Sequence, residues 1–231
     1  MREMTVHAIA VIPARYASSR LPGKPLADLG GKPMIEHVWT RARASVARDV
    51  LVATDDERIR SVVEAFGGRA VMTSPDHSSG TDRVHEAAAG LDCDVVVNIQ
   101  GDEPLVDPAV IDALIGVFED AEVDIATVGA PLDDPDAVKV LVDSGGNAAD
   151  FRRGDLAGAV RHLGLYAYRP AALADFVSLP VSPRERSERL EQLRLLENGR
   201  SIRVVRVASA SPSVDTPEDL AEVRRILEQS A

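Results

Sequence analysis

The stretch His7-Ala-Ile-Ala-Val-Ile-Pro-Ala-Arg-Tyr-Ala-Ser-Ser-Arg-Leu-Pro-Gly-Lys-Pro-Leu26 decides the fold class. His7 to Ile12 is a short apolar run of the kind that forms a buried strand, and Pro13, Pro22, Gly23 and Pro25 then oppose regular structure for a dozen positions. No acidic side chain occurs between Met4 and Ala27, although the chain carries a formal net charge of -11. A cationic loop on an acidic protein points to an anionic ligand such as a triphosphate. Arg15 offers a planar fork to phosphate oxygens, Lys24 a compact positive charge, and Ser18, Ser19 and the amides near Gly23 further hydrogen bonds. Ligands of open α/β sheets sit at the carboxyl ends of strands, which favours a binding role for Arg15 and Lys24 over ordinary solvated charge. Neither the P-loop spacing nor a Gly-x-Gly-x-x-Gly fingerprint is present, which argues against a P-loop kinase and a dinucleotide-binding dehydrogenase.

Outward from this stretch, strands and helices alternate as in a parallel βαβ sheet. Pro33 is expected to open a helix with Met34, Ile35, Val38, Trp39, Ala42 and Val46 on one face, followed by a strand over Asp49 to Thr54. A helix over 55–66, a strand over 70–73, a helix over 81–89 and a strand over 94–99 come next. Asp107-Pro108 caps a helix ending near Asp120. Strands are then expected over 124–129, 138–142, 162–168 and 202–207, and helices over 170–177, over 183–198 and from Thr216 onward.

With 231 residues and 45% hydrophobic content the chain can bury a full core. A single domain is expected, with a nucleotide-binding part over about 1–130, an acceptor part over 131–207 and a C-terminal part over 208–231. The apolar N-terminal run is too short for a signal sequence and no stretch approaches the roughly 20 residues of a membrane span, so a cytoplasmic protein is expected. Cys93 is the only cysteine, and the five histidines lack ligand spacing. Net negative charge and 3% aromatic content disfavour a nucleic-acid partner.

Asn98-Ile-Gln-Gly-Asp-Glu-Pro104 puts carboxylates and an amide just after the most convincing strand. A hard divalent ion takes one or two carboxylates plus phosphate oxygens, and because Asp107 already stands at the next helix cap, Asp102 is left for Mg²⁺. Asp215, in Val214-Asp-Thr-Pro-Glu-Asp-Leu220, reads by itself more readily as part of a helix start built on Thr216, Pro217 and Asp219.

Six motifs in order resemble the 3-deoxy-manno-octulosonate cytidylyltransferases, which make the cytidine monophosphate conjugate (CMP-Kdo) of the sugar acid Kdo. They are Ile12 to Tyr16 running on to Pro22 to Leu26, Val52-Ala-Thr-Asp-Asp56, Asp76-His-Ser-Ser-Gly-Thr-Asp-Arg83, Asn98 to Pro104, Leu190-Glu-Gln-Leu-Arg194 and Val214 to Leu220. The resemblance implies an α/β, mainly parallel, Rossmann-like three-layer sheet of the nucleotide-diphospho-sugar transferase type, with a reduced β subregion on the acceptor side. It implies that Ala14, Arg15, Ser18, Ser19 and Lys24 bind the CTP phosphates, that Ser79, Gly80, Arg83 and Gln100 surround the cytidine, and that Asp102 and Asp215 hold Mg²⁺. Arg15, Lys24, Asp102 and Asp215 are then the catalytic set. The implied reaction is attack by an acceptor oxygen on the α-phosphorus of CTP, with pyrophosphate leaving in line and no covalent enzyme intermediate.

On the acceptor side His162, Tyr166, Glu191 and Gln192 match positions the family uses, and Arg152 or Arg153 supplies a cation for a carboxylate. The chain departs from the family between Asp150-Phe-Arg-Arg153 and Arg161-His-Leu-Gly164, where the intervening segment is markedly shorter. That loss shrinks or opens the acceptor pocket and removes part of the surface on which the family dimerises, leaving a homodimer open. Kdo or a related sugar acid is one expected acceptor, and a small phosphonate such as phosphonoformate the alternative. A non-catalytic CTP sensor is disfavoured by the retained Lys24, Asp102 and Asp215. A glycosyltransferase is disfavoured because the Asp102-Glu-Pro turn lacks an Asp-x-Asp pattern.

Overall fold

A computed structural model describes residues 6–17, 21–132 and 134–229. These cluster into two compact units, residues 7–112 with 211–229, and residues 113–210 with residue 6. The first unit begins with β1 (Ala8–Ala14), a hairpin of β2 (Asp28–Leu29) and β3 (Lys32–Pro33), and α1 (Met34–Arg43). It continues through β4 (Asp49–Thr54), α2 (Glu57–Ala65), β5 (Arg69–Met72), α3 (Gly80–Ala88) and β6 (Val95–Asn98) to α4 (Pro108–Gly116). β1 pairs in parallel with β6 on one side and β4 on the other, and β5 flanks β4 in parallel. Ala10, Val11, Ile12, Leu51, Val52 and Val97 have no accessible surface, as strands covered on both faces require.

β1 runs through Pro13 to Ala14, beyond the expected end at Ile12. Pairing with β6 stops at Val11 opposite Asn98, whereas pairing with β4 continues to Ala14 opposite Thr54. Val11 turns its carbonyl to Ile99, so Pro13, two residues on, points the same way, beyond the paired part of β6. Its missing N–H therefore breaks no ladder bond. The expected helix after Pro33 ends at Arg43, which leaves Val46 outside it and 64% exposed. Met34, Ile35, Val38 and Ala42 form its buried face as expected. The helix expected to end near Asp120 is α4 followed by a 3₁₀ turn over Val117–Glu119.

The second unit comprises β7 (Ile125–Ala130), β8 (Lys139–Val142), β9 (Ala148–Arg152), β10 (Val160–Tyr168), α5 (Pro170–Ser178), α6 (Pro183–Glu188), α7 (Leu193–Glu197) and β11 (Arg203–Arg206). β11 is parallel to β7, while β10 pairs antiparallel with β7 and β8, and β8 with β9. β9 was not expected. Its signal is the turn Asp143-Ser-Gly-Gly-Asn147, in which the Asp143 carboxylate accepts from the amides of Gly145 and Asn147 and Gly146 has φ +80°.

The single helix expected over 183–198 is two helices. Glu185 and Arg194 form a bidentate pair at 2.8 and 2.5 Å, both side chains largely buried. Nine residues of continuous helix would separate them by about 13.5 Å along the axis. The chain instead breaks at Arg189, which adopts a left-handed φ of 55° and closes α6.

The last helix, α8 (Pro217–Gln229), belongs to the first unit. Its Val223 joins Val214, Leu29 and Met34 in a fully buried cluster. Thr216 and Asp219 make the expected cap: the Thr216 hydroxyl accepts from the Asp219 amide, and the Asp219 carboxylate accepts from the amides of Asp215 and Thr216.

Candidate active site

The carboxyl ends of β1, β4, β5 and β6 lie at one edge of the first unit's parallel sheet, and the motif-bearing loops leave from them. A cleft of about 380 Å³ opens there, lined by residues that include Ala14, Arg15, Lys24, Ser79, Gly80, Gln100 and Asp102. Ser18 and Ser19 lie outside the described residues.

Lys24 is the centre of the site. Its ammonium donates to Asp102 Oδ2 at 2.6 Å, to the Val214 carbonyl at 3.0 Å and to Asp215 Oδ1 at 3.2 Å. The Lys24 side chain is 16% exposed, against 28% for Asp102 and 38% for Asp215. Lys24 and Asp215, 191 positions apart, meet for two reasons. The Val214 amide donates to the Asp102 carbonyl at 2.8 Å, and Val214 is anchored in the cluster with Leu29, Met34 and Val223. Asp107 accepts from the Ala109 amide at the start of α4, which leaves the Asp102 side chain to the cleft as expected.

Two glycines make this geometry feasible. Gly23 has φ +70° and donates its amide to the Tyr16 carbonyl at 3.0 Å, and a Cβ on it would lie 3.3 Å from the Tyr16 ring. The Arg58 guanidinium sits 3.3 Å from the centroid of that ring and is held by the Asp56 carboxylate. Gly101 passes so close to β1 that a Cβ would stand 2.9 Å from the Pro13 carbonyl oxygen.

Arg15 donates one guanidinium nitrogen to the carbonyls of His77 at 2.6 Å and Ser79 at 2.9 Å, tying the first loop to the turn before α3. Ser79 caps α3 reciprocally with Asp82, so the amides of the first turn of α3 lie beside Gly80 at the cleft. Arg83 has no accessible surface, donates to Thr73 and pairs with Asp55 at 2.8 Å. Arg83 thus ties α3 to the residues that follow β4 and β5. Sequence reasoning overlooked Asp55, Thr73 and the Tyr16–Arg58 stack, although Asp55 and Asp56 lie inside a quoted motif.

The acceptor-side residues lie in the second unit. His162 and Tyr166 stand on β10 with ring centroids 5.4 Å apart, and Phe151 of β9 meets the His162 ring edge-on at 5.0 Å. Thr127 Oγ1, unnoticed in the sequence, lies 3.0 Å from His162 Nε2 and donates to the Leu165 carbonyl at 2.8 Å. Burial of the ring lowers the His162 pKa from 6.5 to about 3, so the imidazole is neutral at physiological pH, although the residue keeps some accessible surface. Burial, reinforced by the Glu191 carboxylate, raises the Tyr166 hydroxyl well above its usual value. That hydroxyl is buried without a hydrogen-bond partner of good geometry among the described residues. Gln192 is buried ahead of α7. Both candidate arginines are exposed, and Arg152 donates to Asp150 at 3.2 Å.

The sequence profile of the cytidylyltransferases matches residues 9–202. A 3-deoxy-manno-octulosonate cytidylyltransferase from Nitratidesulfovibrio vulgaris is 49% identical over 241 positions, covering 95% of this chain and 96% of the relative. The chain belongs to this cytidylyltransferase family. An 8-amino-3,8-dideoxy-manno-octulosonate cytidylyltransferase from Shewanella putrefaciens is 46% identical over 245 positions, covering 97% of this chain and all of that one. A solved CMP:2-keto-3-deoxy-manno-octonic acid synthetase complexed with CTP superposes with a TM-score of 0.93 at 42% identity, covering 97% of this chain and 100% of that one. This family member therefore has the nucleotidyltransferase fold that its motifs implied. Both alignments run over more positions than the 231 residues of this chain, so these relatives carry residues that it lacks. The phosphonate acceptor and the non-catalytic sensor find no support among these relatives. Among the described residues no helix is long and apolar enough to cross a membrane.

Proposed function

We propose that this cytidylyltransferase transfers CMP from CTP to a 3-deoxy-manno-octulosonate-type sugar acid in the cytoplasm, with Mg²⁺. The observation that carries the proposal is the meeting of Lys24, Asp102 and Asp215 beside a cleft edged by Arg15 and the first turn of α3. An acceptor hydroxyl oxygen forms a bond to the α-phosphorus while the bond from that phosphorus to the bridging oxygen breaks. Pyrophosphate carries away the electron pair, and the hydroxyl proton passes to solvent. Lys24 and the amides opening α3 meet the phosphate oxygens, whose charge grows as pyrophosphate departs. Arg15 fixes the wall of the cleft through the His77 and Ser79 carbonyls.

Two carboxylates converging beside the cleft suit a hard divalent ion, so Asp102 and Asp215 are the residues that would hold Mg²⁺. The bound ion would neutralise triphosphate charge. In the second unit, neutral His162, the Tyr166 hydroxyl, Glu191 and Gln192 supply donors and acceptors for a polyhydroxylated acid.

The decisive test incubates the protein with CTP, Mg²⁺ and pyrophosphatase, and compares phosphate release with 3-deoxy-manno-octulosonate and with its 8-amino-8-deoxy analogue. Release with either supports the proposal and the ratio assigns the acceptor. No release with either, in protein that binds CTP, overturns it.

A further inference from the structure

We infer that Lys24 is an internal stand-in for the divalent cation, so that the protein takes up metal only together with nucleotide. The inference rests on the metal-dependent transfer proposed above and adds how the site is loaded. An ammonium has three donors and no acceptor. All three are engaged by oxygens: Asp102 Oδ2 at 2.6 Å, the Val214 carbonyl at 3.0 Å and Asp215 Oδ1 at 3.2 Å. A hard divalent ion draws on the same kind of oxygens, the two carboxylates above all. One pair of carboxylates cannot serve both cations at bonding distance, because ammonium and metal would then be near neighbours with like charge in a partly desolvated site.

The charge balance explains why the exchange waits for nucleotide. With Lys24 in place the three side chains sum to one negative charge. A divalent ion arriving alone must displace an ammonium 16% exposed from both of its carboxylate partners, with only the Val214 carbonyl left to it. A triphosphate changes this, since it offers phosphate oxygens to Lys24 and further oxygen ligands to the metal in one event. Lys24 lines the cleft beside Arg15, so its flexible stem has only to swing within that cleft. The exchange also keeps the two carboxylates beside a cation at all times, which protects the Asp102–Val214 junction on which the position of Asp215 depends.

The test reads metal binding by the loss of the free Mn²⁺ electron paramagnetic resonance signal, with no turnover involved. Four proteins are compared, wild type, Lys24→Met, Lys24→Arg and Asp102→Asn, each with Mn²⁺ alone and with a non-hydrolysable CTP analogue. Wild type should bind Mn²⁺ weakly alone and at least about tenfold more tightly with the analogue, Lys24→Met should bind about tenfold more tightly than wild type without nucleotide, and Lys24→Arg, which keeps the charge, should stay weak. Asp102→Asn should lose the analogue-dependent site. If Lys24→Met binds Mn²⁺ alone no better than wild type, the stand-in role is overturned even where the analogue-dependent site exists. If wild type shows no analogue-dependent Mn²⁺ site, the metal reading itself fails. Should Lys24→Met not fold, acylation of Lys24 in wild type, followed by peptide mass spectrometry, reads the same competition. Saturating Mn²⁺ must accelerate it, and an unchanged rate overturns the inference.

Discussion

The charged cluster of the first unit and the aromatic cluster of the second solve opposite physical problems. Lys24, Asp102 and Asp215 are partly exposed and form ion pairs at 2.6 and 3.2 Å. His162, Tyr166 and Phe151 are packed ring against ring, and burial keeps the imidazole and the phenol neutral. A triphosphate brings charge that must be met by charge, whereas a sugar acid brings hydroxyls that neutral donors and acceptors can sort. The first cluster can exchange partners without disturbing the core. The second is part of the core, and changes to it reach stability as well as binding.

Asp102→Ala puts this contrast under the greatest strain. Turnover should fall by at least about a thousandfold, while the CTP dissociation constant measured without divalent ion rises by less than about tenfold, because the lost group acts mainly on charge that develops during transfer. Steady-state kinetics beside calorimetric titration of CTP separates the two, and surviving turnover would reject the metal assignment.

Arg83→Leu comes next. It leaves the Asp55 carboxylate and the Thr73 hydroxyl without their partner beneath α3, and should cost about 3 to 5 kcal/mol in urea-unfolding free energy. If the variant is as stable as wild type, Arg83 does not support α3.

The second cluster should reveal itself in acid. His162 has its folded pKa depressed from 6.5 to about 3, so between these values the unfolded chain binds more protons than the folded one. Stability is then fully present above pH 6.5 and is lost as pH falls toward 3, by up to about 1.4 kcal/mol per pH unit from this group. His162→Gln should flatten the slope between pH 6.5 and 4.5, and equal slopes in the two proteins would place the ring in solvent.

The smallest effect is expected at the break between the helices of the second unit. Arg189→Gly relieves a left-handed φ of 55°, so stability should change by less than about 1 kcal/mol, the relief being offset by a more flexible unfolded chain. A loss above that would show that the Arg189 side chain, and not its backbone, holds the turn before Glu191 and Gln192.

The legibility of the two regions differs for the same reason. Lys24 and Asp102 could be read from the chain because each lies in the loop that leaves an apolar strand, and the carboxyl end of a parallel strand is where ligands meet an α/β sheet. Asp215 by itself resembled a helix start, which it also is, and only the family resemblance gave it a second role. Thr127 beside His162, the Val214 carbonyl on Lys24 and Asp55 on Arg83 gave no local sign. They became relevant through partners up to 190 positions away.

What the sequence by itself determined is everything written in short-range physics: which runs are buried strands, where the cations of the first loop stand, and which residues cap α4 and α8. Tertiary structure alone decided where β1 ends, because Pro13 is tolerable only where β6 has stopped pairing. It decided that residues 183–198 break in two, because Glu185 and Arg194 can meet across a turn and not along one helix. It also decided that one ammonium satisfies two carboxylates from distant loops. Propensity and periodicity act over a few residues, whereas the balance of buried charge is settled only once the chain has brought its distant partners together.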